Sequence, residues 1–488
     1  MSKNKSEQIV QNSKPTTRNS KLESLDQFKS WAKENGFIYA SSEIYGGFSA
    51  VYDYGHYGIL LKNNIQKLWE KSMTQMRDDV YLLDSGIFMH PKTWQASGHA
   101  AGFADVLVED KETHIRYRAD HLVEEWFEKK GEKVDMDKKT PEELAEIIKE
   151  NDIKSPEGNE LTEPRSFNLM LKTNMGTTDN TLTDENVVYA RAETCQGIYL
   201  EYKNYMDTIR LKLPFGIAQV GKAFRNEIVA RQFVFRTREF EQMELQYFHK
   251  PENKDELFEM WKEERMKWHI EELGIDPEKL RFKKHEKLVF YASQAFDIEY
   301  DFNTLGGFKE LEGIHDRGDY DLTQHAEFSG QKLDYFDQEN NTRIVPHIME
   351  TSVGLNRILM MVLEDAWTEE EVKPAEGDKP AETRVVLKIK KELAPIKVAI
   401  LPLSKKEPLQ KLATELQAEI RNDFMTVYDE TASIGKRYRR QDEIGTPYCI
   451  TIDFDSLEDK AVTIRERDSM EQVRIKIDEV KAWLDSKF

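Results

Sequence analysis

Arginine and glutamate side chains cluster in the middle of this chain. Residues 224–227 read Phe-Arg-Asn-Glu, and residues 235–244 read Phe-Arg-Thr-Arg-Glu-Phe-Glu-Gln-Met-Glu. Guanidinium groups bind phosphates through paired N–H donors, and an aromatic ring such as that of Phe240 stacks on a base. A salt-bridged strand face would explain any single Arg-x-Glu pair, because charge runs are usually solvated. The recurrence of the cluster favours a nucleotide site.

Three later segments continue this pattern. Residues 309–314 read Lys-Glu-Leu-Glu-Gly-Ile, 316–322 read Asp-Arg-Gly-Asp-Tyr-Asp-Leu, and 350–357 read Glu-Thr-Ser-Val-Gly-Leu-Asn-Arg. Gly354 permits a close backbone approach beside Arg357, which begins an apolar helix. The sequence contains no P-loop, Gly-x-Gly-x-x-Gly, His-Glu-x-x-His or Gly-x-Ser-x-Gly motif. If this chain binds a nucleotide, residues outside these motifs must hold the phosphates.

Short strands must position these groups. β-like runs occur at residues 217–220, 233–235, 244–248 and 297–301, with tight turns and no regular βαβ rhythm. Such a pattern is typical of an antiparallel sheet with helices around it, which is the α+β class. Two helical insertions are predicted, at about 119–151 and 252–277. In the second, Leu257, Trp261 and Trp268 share one helical face.

The chain also divides along its length. Residues 1–20 form a polar tail, and an acidic, Pro-bearing loop is predicted at 367–383. A boundary near 393 separates a first domain at 21–393 from a second at 394–488. The second domain alternates strands with a helix that carries Leu409, Leu412, Leu416 and Ile420 in register, which predicts a small mixed α/β fold.

The composition of the chain excludes several classes of protein. The 488 residues carry a formal net charge of −20 and include two cysteines, so a disulfide framework is excluded and a reducing, cytosolic setting is expected. Nothing approaches a membrane-spanning apolar run. The acidity argues against a nucleic-acid partner, yet residues 391–488 hold 17 Lys and Arg against 19 Asp and Glu. Net charge therefore limits non-specific affinity for RNA and says little about a specific RNA.

As a set, these motifs resemble the class II aminoacyl-tRNA synthetases, and in particular the homodimeric glycyl-tRNA synthetases. Residues 224–227 with Phe240 are similar to motif 2, 354–357 to motif 3, and 52–55 with the helix that follows to motif 1. Each motif alone is weak, and the resemblance runs from about Leu22 to the C-terminus. Glycine-type signatures add the segments 42–47, 116–120, 167–170, 191–194 and 350–354.

The resemblance implies that ATP and glycine give glycyl-adenylate, and that glycine then passes to the 3′ end of tRNA(Gly). Arg225 would bind the α-phosphate and Arg357 the γ-phosphate, and Glu310 would hold Mg²⁺. Phe240 would stack on adenine. The implied ATP-binding residues are Arg225, Asn226, Glu227, Phe235, Arg236, Thr237, Arg238, Glu239, Phe240, Glu310, Leu311, Gly354, Leu355, Asn356 and Arg357.

Glycine offers only an ammonium and a carboxylate for recognition. The resemblance places carboxylates around the ammonium, where they also exclude a methyl group, and Arg118 or Arg317 near the carboxylate; no editing domain is expected. For any single glutamate, an ordinary salt bridge is an equal alternative. The implied glycine-binding residues are Arg118, Glu193, Phe240, Glu241, Gln242, Met243, Glu244, Arg317, Glu350, Thr351, Ser352, Val353 and Gly354.

The second domain resembles the anticodon-binding domain of related synthetases. Its basic stretch suits phosphate contact and base stacking on RNA, although a solvated basic turn is the alternative. The implied tRNA-binding residues are Lys436, Arg437, Tyr438, Arg439 and Arg440. A homodimer is expected from the family. No zinc is expected, since residues 153–158 lack the Cys pair that some relatives carry.

Two other functions remain open. A non-catalytic relative could use the same body as an RNA-binding module, but the phosphate arginines are present, which favours an enzyme. A synthetase for threonine or proline is the alternative within the class. The glutamate set and the absence of Cys/His zinc ligands argue against threonine.

Overall fold

A computed structural model describes residues 21–136, 139–175, 187–228, 232–286, 288, 292–373 and 382–488. The chain divides into two compact units. The larger contains residues 38–55 and 65–361, and the other contains the described parts of 1–37, 56–64 and 362–488. The predicted tail at 1–20 lies outside the described residues. Within them, no helix has the length and apolarity needed to span a membrane.

Helices and strands follow one another irregularly. The α-helices of the described chain are α1 (Leu25–Glu34), α2 (His56–Glu70), α3 (Pro91–Ala96), α4 (His99–Gly102), α5 (Ala119–Glu128), α6 (Pro141–Glu150), α7 (Cys195–Ile209), α8 (Lys254–Lys267), α9 (Tyr320–Ser329), α10 (Leu355–Ala366), α11 (Glu407–Ile420), α12 (Ile434–Glu443), α13 (Asp455–Asp459) and α14 (Val480–Asp485).

The strands of the described chain are β1 (Ile38–Ala40), β2 (Tyr52–Tyr54), β3 (Val80–Leu83), β4 (Phe88–Met89), β5 (Ala104–Glu109), β6 (Arg116–Arg118), β7 (Arg165–Asn168), β8 (Lys172–Asn174), β9 (Val187–Ala190), β10 (Phe215–Phe224), β11 (Glu239–His249), β12 (Leu280–Lys284), β13 (Gln294–Phe302), β14 (Gly307–Gly318), β15 (Tyr335–Asp337), β16 (Thr342–Ile344), β17 (His347–Gly354), β18 (Trp367–Lys373), β19 (Glu382–Leu387), β20 (Val398–Pro402), β21 (Thr426–Tyr428), β22 (Tyr448–Ile452), β23 (Ala461–Glu466) and β24 (Gln472–Lys476).

A seven-stranded sheet lies at the centre of the larger unit, in the order β12-β13-β14-β17-β11-β10-β3. Neighbouring strands are antiparallel except β10 and β3, which run parallel. Helix α7 packs its buried Ile198, Tyr199 and Tyr202 in one apolar cluster with Ile217 and Phe248 of this sheet. The predicted antiparallel sheet surrounded by helices is confirmed.

One predicted strand is wrong. Residues Phe233–Phe235 form a 3₁₀ turn in which all three side chains are buried. Phe233 has a φ of 54°, in the left-handed region that strand residues do not adopt. Apolar character alone therefore misled the prediction, because three consecutive buried residues do not alternate as a strand with one buried face would.

Both segments predicted as helical insertions contain helices. Between 119 and 151, α5 and α6 bury Leu122, Val123 and Leu144 in one cluster, and Thr140 and Glu143 form a capping box at the start of α6. Residues 137–138 lie outside the described residues.

In the second segment the predicted helix is present, and two of the three residues predicted on its buried face, Trp261 and Trp268, are buried. The third, Leu257, is only half-buried, and Phe258 and Arg265 of α8 are buried as well. Nε of Arg265 lies 2.5 Å from Glu312 of β14, and Nε2 of His269 lies 2.9 Å from the same carboxylate. Buried charges require such partners, so α8 is part of the core of this unit.

The prediction of an acidic loop at 367–383 is wrong for the described residues of this segment, which form strands. β18 and β19 pair antiparallel, and residues 374–381 lie outside the described residues. Arg384 of β19 donates to Glu370 of β18 at 2.8 Å, and Lys388 pairs with the same carboxylate. Cross-strand cations therefore offset the acidic side chains that suggested a loop.

The C-terminal region has the predicted mixed α/β fold. Its five-stranded sheet has the order β21-β20-β22-β23-β24, with β20 parallel to both of its neighbours. Helix α11 buries Leu409, Leu416 and Ile420 in the cluster that also holds residues of β20, β22 and β23. The predicted helical register is right, although Leu412 is only partly buried.

Candidate active site

A cavity of about 430 Å³ lies beside the central sheet of the larger unit. Side chains from β11, β14 and β17 line it together with residues after β10 and at the start of α10. Most of the predicted substrate residues meet here although they are distant in sequence. Those in the lining are Arg118, Glu193, Arg225, Glu227, Phe235, Arg236, Thr237, Phe240, Glu241, Gln242, Glu244, Glu310, Leu311, Arg317, Glu350, Ser352, Gly354, Asn356 and Arg357.

Strand geometry places three predicted glycine-binding residues outside this lining. Successive side chains of a strand point to opposite faces, so over 242–244 and 350–354 only alternate residues line the cavity, namely Gln242, Glu244, Glu350, Ser352 and Gly354. Met243 and Val353 are buried opposite each other in the β11–β17 register, away from the cavity, and Thr351 is also buried outside the lining. The predicted set was too inclusive because it took continuous segments.

Four predicted ATP-binding residues also lie outside the lining, namely Asn226, Arg238, Glu239 and Leu355. Nε of Arg238 donates to the carbonyl oxygen of Glu227 at 2.8 Å, and Nη1 donates to that of Ser49 at 3.3 Å. Glu239 pairs with Lys222. Arg238 therefore fixes the loop that carries Arg225 instead of facing the cavity.

Arg225 projects between two aromatic rings. Its guanidinium carbon lies 5.3 Å from the ring centres of both Phe103 and Phe240. Nε donates to the carbonyl oxygen of Ala192 at 3.1 Å. A cation held over aromatic faces can still direct its charge toward a bound anion.

Arg357 begins at the first turn of α10 and stacks on Phe235, with 4.4 Å between its guanidinium carbon and the ring centre. Nη1 lies 3.2 Å from a carboxylate oxygen of Glu310. A Cβ at Gly354 would lie 3.3 Å from the Arg357 side chain, so glycine leaves room for this rotamer. The adjacent Arg357 lowers the pKa of Glu310, which keeps that carboxyl ionised.

Glu350 is buried and fully ionised. Burial opposes its charge, but Arg317 and His315 more than compensate and lower its pKa to about 2. Nδ1 of His315 lies 2.9 Å from Oε1 of Glu350, and Gln246 donates to Oε2 at 2.8 Å. This carboxylate is a fixed negative charge in the cavity.

Glu244 lies in a different electrostatic environment. Burial, together with the charges of Glu350 and Glu193, raises its pKa to about 7. Ser352 donates to Oε1 at 2.6 Å, and Thr194 donates to the other oxygen. Glu244 therefore exchanges a proton near neutral pH, in a position fixed by two hydroxyl groups.

Glu193 completes the group of carboxylates. Burial opposes its ionisation, but nearby His99, with Nε2 at 3.3 Å, outweighs burial and holds the pKa well below its usual range. One ligand atom each from Cys195, Glu244 and Glu350 lies within 4.8 Å of the others. Such a buried, electron-rich cluster suits a small cation.

The two arginines predicted near a substrate carboxylate differ in their burial and in their ion pairs. Arg317 is buried and binds Asp321 at 2.8 Å and 3.0 Å in addition to Glu350. Arg118 is more exposed, at 28% of its side chain, and pairs with Asp105 at 3.2 Å and with Asp120. Arg317 thus acts inside the protein, whereas Arg118 reaches the cavity from its edge.

Sequence reasoning missed His315, Thr194 and His99. His315 lies between two predicted segments on β14, and alternate residues Leu311, Gly313, His315 and Arg317 all line the cavity. Period-two counting along 309–322 would have found His315. Thr194 ends the segment 191–194 that the resemblance identified, although no role was assigned to it, whereas His99 acts only through contacts across the fold, for which the sequence carries no local signal.

Comparison with known proteins identifies the family. Curated relatives named glycine–tRNA ligase include one from Treponema denticola, 49% identical over 93% of this chain and 94% of the relative. One from Corynebacterium glutamicum is 48% identical over 94% of this chain and 97% of the relative. This chain belongs to the glycine–tRNA ligase family.

Family models assign both regions of this glycine–tRNA ligase family member. The tRNA synthetase class II core domain (G, H, P, S and T) matches residues 178–366, and the anticodon binding domain matches residues 397–487. A solved prolyl-tRNA synthetase from Cryptosporidium parvum, in complex with halofuginone and AMPPNP, shares the fold. It has a TM-score of 0.61 and 14% identity, covering 94% of this chain and 74% of that one. The class II fold and the predicted ligase activity are confirmed.

The predicted tRNA-binding stretch of this ligase family member forms helix α12, not a basic turn. Arg437 is buried, and its Nη1 donates to the carbonyl oxygens of Pro402 at 2.7 Å and Asp429 at 3.0 Å. The side chains of Tyr438 and Arg439 are half-buried, while Lys436 and Arg440 are exposed. The structure therefore gives Arg437 a structural position, contrary to the prediction.

Proposed function

We propose that this cavity is where the chain activates glycine with ATP, before glycine passes to the 3′ end of tRNA(Gly). A carboxylate oxygen of glycine attacks the α-phosphorus, a new P–O bond forms, and the bond to pyrophosphate breaks. A ribose hydroxyl of the tRNA then attacks the carbonyl carbon, and AMP leaves. Alignment of the reactants and stabilisation of charge suffice for the first step.

One observation carries the proposal. Arg225 and Arg357 line the same cavity as the carboxylates of Glu193, Glu244 and Glu350. The arginines suit the phosphates of ATP, and the carboxylates suit the ammonium of an amino acid. Both substrates of the first step thus have complementary charges in one cavity.

The phosphate-binding residues would act by charge. In this proposal Arg225 binds the α-phosphate, where negative charge develops during attack, and Arg357 binds the γ-phosphate. Adenine stacks on Phe240. Glu310 offers an ionised carboxylate in the lining, the hard oxygen donor that Mg²⁺ prefers together with phosphate oxygens. When bound, Mg²⁺ supplies positive charge that neutralises the phosphates.

The carboxylate cluster would recognise the ammonium. Glu350 and Glu193 are ionised, and Glu244 loses its proton when the ammonium enters. Ser352 and Thr194 keep Glu244 in place. Because these side chains fill the space beside the α-carbon, an added methyl group would collide with them, and alanine is rejected.

The substrate carboxylate would meet Arg118. Both arginines pair with two carboxylates, but Arg317 is buried with its partners Glu350 and Asp321, so in this proposal it neutralises the pocket and does not bind substrate. Arg118 lines the cavity and keeps 28% of its side chain exposed. Of the two arginines that the sequence offered for the carboxylate of glycine, this proposal therefore assigns Arg118.

In this proposal the two regions of the chain have separate roles. Residues 21–393 act as the catalytic domain, and residues 394–488 bind the anticodon of tRNA(Gly), with Lys436 and Arg440 on the RNA-facing surface. The family resemblance further supports a homodimer that works in the cytoplasm. Sedimentation of the full-length chain tests the dimer, and a stable monomer would contradict it.

ATP–pyrophosphate exchange, screened against each amino acid, tests the activity. We expect glycine-dependent exchange with little response to alanine, threonine or proline. Exchange with threonine or proline instead would assign another substrate. No exchange with any amino acid would support the non-catalytic alternative.

A further inference from the structure

Two histidines and an aspartate meet near the cavity, on or directly after three adjacent strands. His285 follows β12, Asp297 lies on β13 and His315 lies on β14. One ligand atom from each lies within 4.8 Å of the other two. In the β13–β14 register Asp297 lies opposite Gly313, two residues before His315, so Asp297 and His315 are diagonal neighbours on one face.

His285 and Asp297 are already in direct contact. Nε2 of His285 lies 2.8 Å from Oδ1 of Asp297. The Asp297 side chain is only 11% exposed. A buried carboxylate of this kind requires a cation.

His315 has the orientation of a metal ligand. Its Nδ1 lies 2.9 Å from Glu350, whose ionised carboxylate accepts the ring N–H. A histidine that donates one ring N–H to a carboxylate presents its other nitrogen, here Nε2, as a lone-pair donor. Histidines that bind zinc commonly make such a second contact.

We propose that His285, Asp297 and His315 bind one divalent transition-metal cation, with Zn²⁺ as the best match. Two imidazoles and a carboxylate suit Zn²⁺ better than Mg²⁺ or Ca²⁺, which prefer oxygen ligands. Tetrahedral ligands at zinc lie about 3.4 Å apart, so the three atoms need to move by about 1 Å or less. A fourth position remains for water.

This site departs from the expectation that the chain binds no zinc. That expectation concerned a Cys pair in residues 153–158, whereas these ligands lie on β13, on β14 and directly after β12. No sequence spacing reveals them, because only strand pairing brings them together. The cation would hold the His315 ring with Nδ1–H toward Glu350, so His315 is a positioning residue for the carboxylate cluster.

Zinc binding to the full-length protein tests this site without reference to catalysis. The protein is stripped with a chelator, and Zn²⁺ binding is measured by equilibrium dialysis in excess Mg²⁺. We expect one tight site in the wild type. His285→Ala and Asp297→Ala should each weaken it by at least about tenfold. His121→Ala, which removes an exposed histidine of α5, serves as the matched control and should bind as the wild type does.

Co²⁺ provides a second readout, since its visible absorption reports its ligands. The spectrum of Co²⁺-loaded protein should change in His285→Gln, which preserves side-chain size if the alanine variant does not fold. Absence of stoichiometric Zn²⁺ binding by the wild type would overturn the proposal. Wild-type affinity in folded His285 variants would also overturn it, because the ion would then occupy another site, such as the Cys195 cluster.

Discussion

Arg317 binds both oxygens of Glu350 through one nitrogen, with Nη1 at 3.2 and 3.1 Å. Its other two nitrogens donate to Asp321 at 2.8 and 3.0 Å. All three side chains are buried. One guanidinium therefore faces two carboxylates, and the shared positive charge leaves Glu350 able to attract a second cation. The ammonium of the substrate would be that cation.

Arg317→Met should destabilise the protein and weaken glycine binding together. Removing one partner of a buried ion pair leaves uncompensated charge and costs about 3–5 kcal/mol. Urea unfolding measures this loss, and the KM for glycine should rise. Arg343→Met is the matched control, because Arg343 is 62% exposed in its pair with Asp334 and such pairs contribute about 1 kcal/mol or less. Equal losses in the two variants would contradict the buried network.

Glycine binding should weaken in mild acid through Glu244. Burial, with Glu350 and Glu193, raises its pKa to about 7, and an ammonium requires the ionised form. The KM for glycine should therefore increase by roughly tenfold from pH 8 to pH 6. The raised pKa also means that this group favours folding at low pH, and that its contribution is lost as pH rises from the usual carboxyl pKa of 4.5 through 7.

Glu244→Gln separates this effect from other titrations. The variant should raise the KM for glycine at pH 8 and abolish most of its dependence between pH 6 and 8. Glu339→Gln is a suitable control, since the Glu339 side chain is 86% exposed. A pH profile in Glu244→Gln that still follows the wild type would exclude Glu244 as the titrating group.

The strands and the charged clusters could be predicted from sequence because both leave local patterns. Arg225, Glu244 and Arg357 belong to recognisable segments, and the apolar runs of β10 and β13 mark strands. The segment at 233–235 failed because its burial comes from tertiary packing around a left-handed Phe233. Local propensity cannot report such a turn.

The remaining errors arise from contacts between distant residues. Arg437 lies in a basic stretch, yet it is buried where the carbonyl oxygens of Pro402 and Asp429 meet. Acidic residues at 369–371 suggested a loop, but Arg384 on the neighbouring strand accommodates Glu370. In both cases the sequence shows the charged residue but not the distant group that binds it. That group determines whether the charged residue is buried or exposed, and in a strand or a loop.

Arg225→Ala should impair adenylate formation far more than tRNA binding. The side chain would stabilise charge at the α-phosphorus, and removing such a donor costs about 10²–10³-fold in rate. Glycine-dependent pyrophosphate exchange measures the first step, and filter binding measures tRNA affinity. Arg343→Ala removes an exposed arginine and serves as the control. Near-normal exchange by Arg225→Ala would reject its proposed role.

Gly58→Ala should destabilise the smaller unit. An added Cβ at Gly58 would lie 2.0 Å from the backbone carbonyl oxygen of Phe37, so α2 or that backbone must shift. Overpacking of this kind costs about 1–3 kcal/mol. Gly435→Ala is the paired control, because a Cβ there meets no heavy atom within 4 Å and lies in helix α12. Its stability should be unchanged or higher by up to about 1 kcal/mol. Urea unfolding that shows equal stabilities would contradict the packing.

Substitutions of two neighbouring basic residues of α12 should affect different properties, namely tRNA binding for Lys436 and stability for Arg437. Lys436 is exposed, whereas Arg437 is buried and donates to backbone carbonyl oxygens. If Lys436 contacts a phosphate of tRNA, Lys436→Ala should lower the slope of log affinity against log salt by about 0.7, the value for one single-strand contact. Pyrophosphate exchange should remain unchanged. Arg437→Leu should instead lower stability, because the carbonyl oxygens lose their donor.

Lys411→Ala is the matched control for Lys436→Ala. Lys411 is 75% exposed on α11 of the same region, and its ion pair with Glu415 spans 4.0 Å. Binding of tRNA measured over a range of salt concentrations compares the three variants with the wild type. An unchanged salt slope in Lys436→Ala would remove this residue from the RNA-facing surface. A slope reduced equally in Lys411→Ala would show that the field of the whole domain acts on tRNA, because no single contact would then account for it.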